Sequence, residues 1–133
     1  MNLNCIIVDA NVTQRLTTLK LINNHPSLNL IGKFSSVIET KKCLLTTSVD
    51  LVIMEVDLPT SAGFELLDVF NEHPNITMPY VVVVSNNDAF ALSAFEYNVI
   101  DYLIKPVPKV RFDEAIAKTV LQAKMEENFK DDD

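Results

Sequence analysis

Apolar residues along this chain gather into five short runs, separated by longer stretches of mixed character. The runs are CIIVD (5–9), LNLIGKF (28–34), DLVIME (50–55), YVVVVS (80–85) and IDYLIK (100–105). Four are nearly continuous valine, isoleucine and leucine, which marks strands buried on both faces, as in a parallel sheet covered by helices on each side. The second run is mixed, as befits an edge strand. Between the runs the apolar positions recur at helical spacing: Val12, Leu16 and Leu19; Val37, Leu44 and Leu45; Phe64, Leu67 and Phe70; Phe90, Ala94 and Tyr97; and Phe112, Ala115, Ile116, Thr119 and Val120.

Punctuation agrees with this division. Asn11 is placed to cap the first helix and Ser61 the third, the latter with Glu65 in its first turns. Both histidines precede a proline, His25–Pro26 and His73–Pro74, each between a helix and a strand. Proline disfavours helical geometry at the residue before it, so these pairs read as helix stops rather than metal ligands. The alternation (βα)₅ predicts an α/β domain of flavodoxin-like, doubly wound type with strand order 2-1-3-4-5. Ligands of such sheets sit beyond the carboxyl ends of the strands, at the switch in strand order.

Composition narrows the options. The 133 residues suffice for one domain, read as residues 1–125, with an acidic tail or linker start at 126–133. Eighteen acidic against eleven basic residues give a net charge of −7, a poor surface for binding nucleic acid directly. No apolar run approaches the roughly 20 residues of a membrane-spanning helix. The first residues read as a strand rather than a signal peptide, so a cytoplasmic location is expected. Cys5 and Cys43 are expected to be reduced packing residues.

Chemistry concentrates at the strand ends. The first strand ends in Asp9 followed by Ala10, the third in Glu55, Val56 and Asp57, the fourth in Ser85, and the fifth in Lys105–Pro106. Acids, a hydroxyl and an ammonium converging on one edge suit divalent-cation and phosphoryl chemistry. A lysine at a sheet end also serves simply to pair with an acid. A flavin or nucleotide enzyme would need a loop rich in glycine, serine or threonine after the first strand. The loop here, DANVTQRL, has no glycine.

The stretch SNNDAFALSAFEYNVIDYLIKPVPKVRFDEAIAKTV, from Ser85, resembles response-regulator receiver domains, above all those attached to LytTR-type DNA-binding domains. The resemblance covers about residues 3 to 125. It implies that Lys105 is the family's site lysine, with Pro106 after a cis bond. Ser85 matches the hydroxyl that closes over the phosphoryl group, and Tyr102 the aromatic switch that rotates inward with it. Asp9 matches the first of two adjacent acids that hold magnesium. The phosphoacceptor is an aspartate four residues before a proline and eight before a glycine, and counting back from Pro59 and from Gly63 gives Glu55 both times. Asp57 falls where the family offers a backbone carbonyl to the metal.

Two acids of the expected set are therefore altered: Glu55 replaces the acceptor and Ala10 a metal ligand, while Ala62 replaces an aspartate often seen before the glycine. Lengthening the acceptor by a methylene moves its carboxylate roughly 1.5 Å, enough to disturb in-line attack. Magnesium held by Asp9, Glu55 and the Asp57 carbonyl is expected to bind weakly, and no other cofactor is expected. The resemblance implies a non-enzymatic, phosphorylation-independent pseudo-receiver of two-component signalling that acts by protein contact. Its partners would be a sensor kinase or an output domain. Homodimerisation would use the face of the fourth helix, fifth strand and fifth helix, including Phe90, Phe95, Tyr97, Tyr102 and Val107. The alternative is a phosphorelay regulator still phosphorylated at Asp57 or Asp9, controlling transcription through a LytTR-type output domain.

Overall fold

The computed structural model describes residues 2–59 and 62–131, the last three of these through their backbone. Strands β1 (Leu3–Val8), β2 (Leu28–Phe34), β3 (Leu51–Met54), β4 (Tyr80–Ser85) and β5 (Asp101–Ile104) alternate with helices α1 (Val12–Ile22), α2 (Val37–Thr46), α3 (Ala62–Glu72), α4 (Ala91–Phe95) and α5 (Lys109–Asp131). A short 3₁₀ segment, Asp88–Phe90, leads into α4. The strands form one sheet in the order β2-β1-β3-β4-β5 with every pairing parallel.

The period of two along each strand divides the core into two halves. Ile6, Val8, Val52, Met54, Val81, Val83 and Tyr102 face a layer built on Leu44, Leu66, Leu67, Phe70 and Ala94, from α2, α3 and α4. Their neighbours Cys5, Ile7, Leu51, Ile53, Val82, Val84 and Leu103 face Ile22, Phe112, Ala115 and Ile116, from α1 and α5. Burial on both faces is why the runs were so continuously apolar.

Most local signals hold. Asn11 caps α1 by accepting the Gln14 N–H (2.9 Å). Ser36 caps α2 in the same way, accepting the Glu39 N–H, a cap the sequence pattern did not single out. Ser61 lies outside the described residues. α3 runs up to His73–Pro74, whereas α1 ends earlier, at Ile22, with Asn24 in the left-handed region (φ 64°) before His25–Pro26. Each imidazole Nδ1 accepts an N–H two residues on, from Ser27 and from Asn75 (both 3.1 Å). Cys5 and Cys43 are free, and burial pushes the Cys5 thiol up to about 11.

Two expectations need correcting. Val12 and Leu16 are exposed, because α1 docks through Thr18, Leu19 and Ile22 and turns its first apolar residues to the flank. Leu45 is also exposed, its place in the α2 contact being taken by Thr40 and Leu44. Beyond residue 125, α5 continues to Asp131, so the first residues of the acidic stretch are the end of that helix. No helix among the described residues is long and apolar enough to cross a membrane.

Candidate functional site

All four predicted strand ends lie at the same, carboxyl edge of the sheet, because every strand is parallel. Asp9 follows β1 directly, Glu55 follows β3, Ser85 ends β4, and Lys105 follows β5. Strands β1 and β3 are neighbours, which places Asp9 beside Glu55 across the pair continuing from Val8 and Met54. The Lys105–Pro106 bond is cis.

Lys105 joins the two acids. Its Nζ lies 2.8 Å from Oδ2 of Asp9 and 3.3 Å from Oε1 of Glu55. It also donates to the side-chain carbonyl of Gln14, from the first turn of α1. An ammonium has three protons, and here each has an acceptor. Both carboxylates are buried, Asp9 4% exposed and Glu55 5%. Burial of this kind is tolerable only because the charges are paired and hydrogen-bonded.

The backbone supplies the remaining donors. Oδ1 of Asp9 accepts the Asn11 N–H (2.9 Å). Oε2 of Glu55 accepts the Asp57 N–H (3.1 Å), and its Oε1 accepts the Asn86 N–H (3.4 Å) as well as Lys105. Arg15 donates through Nη1 to the main-chain carbonyl of Asp9 (2.7 Å), fixing the β1–α1 turn. Gly63 holds the loop after Glu55: a Cβ there would lie 2.2 Å from the Val56 carbonyl oxygen.

Ser85 and Tyr102 form a second cluster. Ser85 is fully buried, and its Oγ accepts the Asn87 N–H (3.2 Å). The Tyr102 ring is turned inward, 8% exposed, and its hydroxyl donates to the carbonyl of Asn87. Burial pushes the Tyr102 phenol above its ordinary value, a hydrogen bond from Ser85 works against that, and the charges of Glu55, Asp88 and Asp57 add to the rise. No hydrogen bond joins Ser85 to Glu55 among the described residues.

Of the predicted metal ligands, Asp9 and Glu55 meet on Lys105. Asp57 is exposed, Ala10 offers no ligand, and the described residues contain no group of three or more His, Cys, Asp or Glu side chains that could hold a metal ion. Every carboxylate oxygen of Asp9 and Glu55 already accepts a hydrogen bond. All but Oε1 of Glu55, which accepts from both Lys105 and Asn86, keep a further lone pair. A magnesium ion here would share the two carboxylates with Lys105 and find no third acid side chain among the described residues, a poor donor set that suits weak binding at most.

Sequence reasoning missed Gln14, Arg15 and Asn86. The first two had a signal in the polar first turn of α1 beside the site, and Asn86 acts through its backbone, where side-chain type says nothing. The proposed contact face is also redistributed. Phe90, Tyr97 and Val107 are partly buried against the core and Tyr102 is buried, whereas Phe95 is exposed and is joined by Leu92 (84% exposed) and Ile104. Phe90 and Tyr97 pack on Phe64 of α3, and the Tyr97 hydroxyl bonds Asp68.

Residues 5–117 match the response regulator receiver domain family. An uncharacterized response regulatory protein of Vibrio cholerae is 32% identical over 122 residues, 92% of this chain and 50% of that protein. The sensory transduction protein LytR of Staphylococcus epidermidis is 29% identical over 113 residues, 85% of this chain and 44% of the relative. This chain spans about half the length of the curated relatives it matches. The solved response regulatory domain of protein mrkE from Klebsiella pneumoniae has the same fold, with a TM-score of 0.81 at 23% identity, covering 92% of this chain and 98% of that one.

Proposed function

The chain belongs to the response regulator receiver domain family, and from that premise we propose that it is a pseudo-receiver. It signals through protein contacts, and Glu55 stands permanently where a phosphorylated aspartate would form. Its partners are a sensor kinase or an output domain of two-component signalling, and a LytTR-type output is the kind the resemblance favours.

One observation carries this reading. The Glu55 carboxylate is gathered in by Lys105, the Asn86 N–H and the Asp57 N–H at once, while Tyr102 is turned inward. These are fixed donors aimed at an anion, of the kind that would hold a phosphoryl group. The imitation is partial for a countable reason. A carboxylate has two oxygens and one charge, against three oxygens and about two charges for a phosphoryl group. The Glu55 oxygens are engaged by Lys105 and the two N–H groups and not by Ser85, whose Oγ accepts the Asn87 N–H. Magnesium binds weakly at best, since Ala10 offers no ligand and Lys105 already offsets the charge of Asp9 and Glu55. Leu92, Phe95 and Ile104 are the exposed apolar residues through which α4 and β5 would contact a partner or a second copy.

Incubation with acetyl phosphate and magnesium, followed by intact-mass measurement, is expected to leave the mass unchanged. A stoichiometric phosphoadduct overturns the proposal. If that adduct maps to Asp57 and disappears in Asp57→Asn, the chain is a phosphorelay receiver with a displaced acceptor.

A further inference from the structure

The three acceptors around Lys105 are not equivalent. Asp9 is close, at 2.8 Å, Gln14 is closer still, and Glu55 is the longest at 3.3 Å. Two of the ammonium's three protons are therefore fixed from the α1 side of the site, by a residue ending β1 and one in the first turn of α1. The third is left pointing at position 55. Gln14 is unusual among the three in carrying no charge, yet it stands where a carboxylate would serve equally well as acceptor. A third carboxylate beside Asp9 and Glu55 would complete an oxygen-rich, strongly negative cluster suited to a divalent cation. The amide fills the lysine's last vacancy without adding that charge.

We propose that Gln14 is a positioning residue of this site. It orients the Lys105 ammonium toward Glu55, and its neutrality keeps the Asp9–Lys105–Glu55 arrangement complete without a divalent cation. The backbone supports the assignment. Asn11 caps α1 by binding the Gln14 N–H, and the neighbouring Arg15 ties the Asp9 carbonyl to the same turn (2.7 Å), so the helix presents residue 14 from a fixed position. This role rests on reading Glu55 as the resident anion of the site.

The test follows the Lys105 ammonium itself by ¹H–¹⁵N NMR at low temperature, where only ammonium protons held by acceptors exchange slowly enough to be seen. The wild-type chain is expected to show a protected Lys105 signal that magnesium at millimolar concentration does not move. Gln14→Met keeps the side-chain length and helix preference but removes the acceptor. It is expected to speed Lys105 proton exchange roughly tenfold, the worth of one charged hydrogen bond, and to shift the Asn86 amide. Gln14→Glu restores the acceptor, so the protected signal should return, but magnesium should now shift the amides of Asp9, Glu55 and Asp57.

Unchanged Lys105 exchange and Asn86 shift in Gln14→Met would overturn the role, and so would a magnesium response in Gln14→Glu no greater than in wild type. If Glu55→Gln leaves the Asn86 and Tyr102 signals unmoved while Gln14→Met still frees Lys105, the reading of Glu55 falls and the role of Gln14 stands.

Discussion

A glutamate carries its carboxylate one methylene, roughly 1.5 Å, further from the backbone than an aspartate. At position 55 that reach brings Oε1 to both the Lys105 ammonium and the Asn86 N–H. The bonds are unequal, and the inequality ranks the mutants. Lys105→Met leaves two buried carboxylates sharing one edge with no cation between them, and should cost about 3–5 kcal/mol. Glu55→Gln leaves Lys105 with Asp9 and Gln14, and relieves repulsion between the two acids, so its cost should stay within about 1 kcal/mol. Urea-unfolding midpoints check the order, and equal costs would mean that Lys105 is held mainly by Glu55. That Glu55 would meet Lys105 at the carboxyl edge was legible, since both stand at strand ends. Its other contacts were not, because two of the three donors on Glu55 are backbone N–H groups whose direction depends on loop conformation.

At the scale of elements, helical periodicity located every helix but did not always choose its buried face. In α1 the stripe Val12, Leu16, Leu19 suggested one docking direction, and the sheet engaged another through Thr18 and Ile22. The first turn of α1 lies over the site, where Gln14 and Arg15 are needed, and the helix is turned to deliver them. The start of α3 is constrained just as firmly. Gly63 lies so close to Val56 that a Cβ would sit 2.6 Å from its Cα, and the obstacle is backbone, which cannot swing aside. Gly63→Ala should therefore cost about 1–3 kcal/mol by overpacking, and should shift the amide signals of residues 55–57. A neutral substitution with unmoved signals would show that the loop after β3 is free to adjust.

At the scale of the whole molecule, acid stability depends on a buried carboxylate at the opposite end of β5 from Lys105. Asp101 opens β5 and receives both arms of Arg111 (2.7 and 2.8 Å), Lys118 (2.9 Å) and the Tyr102 N–H (2.9 Å), joining the edge strand to α5. Burial pushes its carboxyl up, but these hydrogen bonds together outweigh it and hold Asp101 at about 2, below its ordinary 3.8. A depressed carboxyl stabilises the fold above the unfolded-state value, and that contribution is lost as pH falls through the folded-state value. Stability should thus decline between about pH 4 and pH 2, and Asp101→Asn should flatten that decline while lowering stability near neutrality by about 1–3 kcal/mol. Thermal unfolding followed across this range would show it. An unchanged acid limb in Asp101→Asn would assign the decline to other carboxylates.

The sheet, its covering helices and the edge at which chemistry gathers were all legible in the sequence. Those follow from hydrophobic period, turn residues and fixed spacings, all of which act locally along the chain. Tertiary contacts alone share Lys105 among Asp9, Gln14 and Glu55 and turn Ser85 to the Asn87 N–H, and among the described residues they gather no group of three acids that could hold a metal. The reason is physical. An ammonium with three protons chooses its acceptors by distance and direction within about 3 Å, and the residues that meet there come from positions as far apart as 9 and 105.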